Sequence, residues 1–160
     1  MDITERARTM ARLLVNLVRI GDLSEVSRIV RALAEPTGAQ RVRLRQMLTE
    51  LLSASTAMVL RQTGGIGQEA AIMVDLRRAD GSTVDIDDLR PEVRAVVRAF
   101  LAEVNEHGED TAVQVALALQ GDPDGLVDGI LLVLLWTVSA MTWCEEHDEP
   151  APRWLGTTAA

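Results

Sequence analysis

Lysine and tyrosine are missing from this sequence, and phenylalanine and cysteine occur once each. With Cys144 alone, no intrachain disulfide can form, and there is no CxxC pair to hold a metal. Without lysine, a nucleoside-triphosphate loop of the ordinary kind cannot be built, because that loop sets a lysine on the phosphates. All sixteen basic residues are arginines, a coding bias to which no function is attached. A GxSxG elbow and an HExxH pair are also missing, which removes common nucleophile and zinc patterns. The start, Met1 to Arg6, carries neither the basic stretch nor the apolar run of a signal peptide, so the expected location is the cytoplasm.

What is present suits one globular domain. The 160 residues are 48% hydrophobic and 25% charged, enough apolar content to bury a core and far from the composition of disordered chains. Charge is divided unevenly: ten arginines stand against six acids in residues 1–63, six against eighteen in residues 64–160, and the net charge is −8. Such an acidic surface repels nucleic acid, while oppositely charged halves can attract one another within or between subunits.

Over most of the chain, apolar residues recur at steps of three and four, the signature of one helix face. Ala7, Met10, Leu13, Leu14, Leu17 and Val18 predict a helix over 3–20, ended by Gly21. Val26, Ile29, Val30 and Leu33 predict a second, over 22–34, with Ser24 available as N-cap. After the Pro36-Thr37-Gly38 break, a long third helix is expected over 39–62. Residues 63–67 form a glycine-rich joint. The period then changes to two: Ile72, Val74 and Leu76, then Val84 and Ile86, flank Asp80-Gly81, which predicts a β-hairpin over residues 70–87. The competing reading there is a frayed helix over 68–78 followed by a loop.

Asp87-Asp88 and Pro91 introduce a fourth helix through Val93, Val96, Val97, Phe100, Leu101 and Val104, stopped by Gly108. A fifth is expected over 109–120. A sixth runs from Leu126 to Glu146 and is apolar on nearly every side between Gly129 and Trp143. That stretch of fifteen residues is shorter than the ~20 of a membrane span, and Asp128 and Glu145 bracket it. The expectation is therefore no membrane contact but a helix surrounded by protein. Residues 148–160 are expected to be a loose tail.

Candidate chemistry is sparse. Gly64-Gly65-Ile66-Gly67 follows a helix, whereas a phosphate loop follows a strand, so it reads as a linker. Cys144, His147 and Asp148 have metal-ligand spacing on one helix face, but adjacent Glu145 and Glu146 diverge, and a polar helix end accounts for the group. Asp75, Asp80, Asp85, Asp87 and Asp88 fall at turns and on polar faces, not in a catalytic pair. Residues 23–45 have the outline of a helix-turn-helix, but the second helix is too long and Arg43 points away from Arg41 and Arg45.

These features predict a mainly α protein, a helical bundle of about six helices with one small β-hairpin inserted near the middle. The single domain 1–160 divides into an N-terminal three-helix half (3–62), the joint (63–67), the hairpin with a second three-helix half (68–147), and the tail (148–160). No catalytic residue, metal or cofactor is expected, and no nucleic acid partner. The expected function is contact: a non-enzymatic protein-interaction or oligomerisation module, a homodimer or a binder of a protein partner. Its surface would come from Leu131, Leu134, Leu135, Trp136, Met141 and Trp143. The alternative is a small-molecule-binding or ligand-sensing bundle, with Trp136 and Trp143 joined by Met10, Met47, Met58, Met73 and Met141 around a pocket.

Overall fold

A computed structural model of the chain describes residues 2–34, 38–64, 77 and 80–156. Among these, helices form where the periodicity places them: α1 Ile3–Arg19, α2 Leu23–Leu33, α3 Gly38–Gln62, α4 Pro91–Val104, α5 Gly108–Gln120 and α6 Pro123–Glu146. Three of the starts are capped by aspartates. Asp2, Asp22 and Asp122 accept from the amides of Thr4, Glu25 and Asp124 at 3.1, 3.2 and 2.8 Å. The cap of α2 is thus Asp22, not Ser24, and each carboxylate also meets the positive end of its helix dipole.

Left-handed residues set two of the ends. Gly21, at φ 83°, closes α1 by returning its own amide and that of Asp22 to the Val18 and Leu17 carbonyls. The residue that ends α1 is therefore followed at once by the cap of α2, which makes the pair a tight hairpin. At the end of α4 the same position is taken by Glu106 at φ 63°, with the amides of Glu106 and His107 on the Glu103 and Ala102 carbonyls. Gly108, expected to stop α4, instead opens α5.

Helices α3 and α6 form the central pair, and each touches all five other helices. Leu48, Leu51, Leu52 and Met58 of α3 and Ile130, Val133 and Leu134 of α6 are fully buried, each aliphatic side chain contributing about 1.5–3 kcal/mol. One polar bond links the pair. The Thr137 hydroxyl donates to the Val133 carbonyl at 2.8 Å, so Ser55 is the donor in the buried 2.7 Å contact between Ser55 Oγ and Thr137 Oγ1.

The β-hairpin expected over 70–87 is not supported. Residues 70–76 lie outside the described residues, as do Met73, Gly65 to Gly67 of the joint, and residues 35–37 of the chain break. Among the described residues no strand occurs, and the pairing is a single antiparallel bridge between Arg77 and Thr83. The turn itself is present: Gly81 has φ 85°, and the Asp80 carboxylate accepts from the Ser82 amide and hydroxyl at 2.9 and 2.6 Å. Beyond it, Ile86–Asp88 coil into a short 3₁₀ turn capped by Asp85. A two-stranded ribbon is marginal by itself, and local alternation does not provide the apolar face that would hold it.

The tail is also less free than expected. Arg153–Leu155 form a 3₁₀ turn against α1, and Leu155 is fully buried. Arg12 donates to the Trp154 carbonyl at 3.3 Å, and the Arg8 guanidinium lies 5.7 Å over the Trp154 ring. Residues 157–160 lie outside the described residues.

Candidate functional site

Helix α6 is 24 residues long and, by length and composition, apolar enough to cross a membrane, yet more than half of its apolar stretch is buried within this chain. Gly125 and Gly129 lie on its inward face, and Gly121, which ends α5, stands just before α6. Gly121, Gly125 and Gly129 recur every fourth residue, and α4 crosses α6 against them. A β-carbon at Gly129 would stand 2.9 Å from Val96 Cγ2. At Gly121 and Gly125 the neighbour is Glu92 of α4, a buried acid whose Oε1 accepts the Asp122 amide at 2.7 Å. A β-carbon at Gly121 would lie 2.5 Å from Glu92 Oε1, and one at Gly125 would lie 2.7 Å from Glu92 Cδ. The glycines thus create the gap that the carboxylate fills, and the amide at the start of α6 compensates for its burial. The expectations from sequence assign Glu92 no role; the four-residue spacing of the glycines is the signal that points to this contact.

The outward face of α6 follows the line Asp128, Leu132, Leu135, Ser139 and Thr142. Leu135 is 50% exposed, and Leu131, Leu132 and Val138 beside it are half-buried. Charge appears only at the two ends of this line, where Asp128 pairs with Arg90 at 3.1 Å and Glu145 with Arg19 at 2.7 Å.

The six residues singled out on this helix do not share one surface. Leu134 and Met141 point into the core, whereas Leu135 faces solvent. Half-buried Leu131 lies one turn before Leu135 and belongs with it. Trp136, also half-buried, packs on Phe100 with ring centroids 4.9 Å apart and planes at 50°. Trp143 stacks on His147 at 4.2 Å, and the His147 Nδ1 donates to the Trp143 carbonyl at 2.9 Å. That bond ties the imidazole to the helix end.

The remaining reactive groups are dispersed. Cys144 is buried, and burial pushes its thiol above the ordinary range, with the Arg61 charge acting in the opposite direction. Among the described residues no three His, Cys, Asp or Glu side chains converge as metal ligands. Among the described residues, cavities of about 290 and 440 Å³ adjoin α1, and neither of these is lined by Trp136 or Trp143. No family model, curated protein or solved structure matches this chain.

Proposed function

We propose that this chain is a non-enzymatic helical interaction module that pairs with a second copy of itself through the outward face of α6. The observation that carries the reading is the uncharged apolar line formed by Leu131, Leu132, Leu135 and Val138, left open on a helix that all five other helices already touch. A line of this kind on a straight helix is self-complementary when two copies meet about a two-fold axis, and pairing would remove it from water. The charged pairs at its two ends supply a polar rim, as protein interfaces commonly have.

The test compares neighbouring leucines. Leu135→Glu is expected to give a monomeric mass in light scattering while its circular dichroism melt stays close to that of the unmodified protein. Leu134→Glu instead places a charge in the core of each copy and is expected to unfold the chain, since an unpaired buried charge is among the costliest substitutions. A monomeric mass for the unmodified protein at micromolar concentration would defeat the proposal.

A further inference from the structure

Helix α1 has two apolar stripes. Ala7, Ala11, Leu14, Val15 and Val18 enter the core, whereas Ile3, Met10, Leu13, Leu17 and Ile20 run along a neighbouring outer face. Against the start of that outer stripe lies a cavity of about 290 Å³ between α1, α2 and α3. Its apolar wall includes Ile3, Met10, Leu33 and Met47, and its charged residues are Arg6 and Arg43. A shallower cavity of about 440 Å³ continues along α1, sharing Arg6 and Met10 and adding Arg12.

Every charged residue lining the two cavities is an arginine, in a protein with 24 acids and 16 basic residues. Seven arginines elsewhere pair with carboxylates: Arg8, Arg19, Arg28, Arg31, Arg61, Arg90 and Arg98. Arg6 and Arg43 have no carboxylate within ion-pair distance among the described residues. A guanidinium offers a planar fork of donors that matches a carboxylate, and two of them beside one cavity make a site for a single anionic head. Met10 and Met47 give the wall beneath them a flexible surface that adapts to a chain-like tail. The volume, about 290 Å³, lies just below the about 300–1,000 Å³ range of ligand sites, which suits one short aliphatic chain.

We propose that this cavity binds a small amphiphilic carboxylate, with its head on Arg6 and Arg43 and its tail against Met10, Leu33 and Met47. The site uses α1, α2 and α3 and is independent of the pairing proposed for α6.

The experiment is calorimetric titration of the full chain with decanoate below its micellar concentration, and with decan-1-ol, which has the same tail and no charge. Decanoate is expected to bind at one equivalent and to shift the methyl resonances of Met10 and Met47, and decan-1-ol to bind about tenfold more weakly or worse. Arg6→Gln and Arg43→Gln, both at exposed side chains, are each expected to weaken decanoate about tenfold with an unchanged melt. Arg41→Gln, exposed and outside the cavity lining, should leave binding intact. Equal affinity for acid and alcohol would overturn the proposal, as would an Arg41→Gln effect as large as that of Arg43→Gln. Absence of binding would overturn it too, including the case where Arg6→Gln lowers the mass of an assembly and so shows that a second copy fills the groove.

Discussion

Gly125→Ala sets two physical effects of opposite sign against each other. At an ordinary helix interior position the change stabilises by about 1 kcal/mol, because alanine loses less backbone entropy on folding than glycine does. Here the new methyl would collide with Glu92 Oε2 and stand 2.7 Å from Cδ and 3.1 Å from Cγ. Glu92 is 6% exposed and has Gly121 on its other side, so relief requires the carboxylate to leave its place. Moving it breaks the 2.7 Å bond to the Asp122 amide. Losing a charged hydrogen bond costs about 1.5–3 kcal/mol and overpacking about 1–3 kcal/mol. After the gain in helix propensity, a net loss of about 1.5–5 kcal/mol is expected, a fall in Tm of roughly 5–15 °C for a chain of this size. The assay is urea and thermal denaturation followed by circular dichroism, repeated in a Glu92→Ala background. With the carboxylate gone, Gly125→Ala should become neutral or stabilising by up to about 1 kcal/mol. Equal effects in the two backgrounds would refute the account, and so would stabilisation in the unmodified protein.

Two further outcomes follow from polar contacts. Thr137→Val removes the acceptor of the buried Ser55 hydroxyl and should cost about 1–3 kcal/mol, whereas Ser55→Ala leaves Thr137 bonded to the Val133 carbonyl and should cost less than about 1 kcal/mol; a reversed order in chemical denaturation would show that the donor assignment is wrong. The hydrogen bond from Arg31, with its charge, holds the Asp124 carboxyl below the ordinary range. The folded value is then below the unfolded one, so this contribution is complete at neutral pH and fades as pH falls through the depressed value. In an NMR titration, Arg31→Gln should move the Asp124 midpoint upward, and an unmoved midpoint would remove Arg31 as the cause.

The helices were legible in the sequence because their information is local. A stripe such as Leu44, Met47, Leu48, Leu51 and Leu52 repeats with the helical period, and aspartates or prolines stand where amides need a cap or have no partner. Asp80-Gly81 was equally legible as a turn, since positive φ is a property of the residue itself. Whether two strands grow from that turn depends on a surface elsewhere in the chain, and alternation carries no information about that surface. All-round apolarity marked α6 as central, but the sequence gives no reason to turn Leu134 inward and Leu135 outward. Neighbours on a helix differ by about 100° in direction, and packing against α3 and α4 decides which of them is covered. Glu92 and the arginines of the α1 cavity show the same limit more strongly. Glu92 meets Asp122 across 30 positions of chain, and Arg6 and Arg43 line one cavity from separate helices. Spacing along the chain fixes which residues share a helix face, whereas those meetings exist only once helix faces are pressed together, which is the work of the tertiary structure.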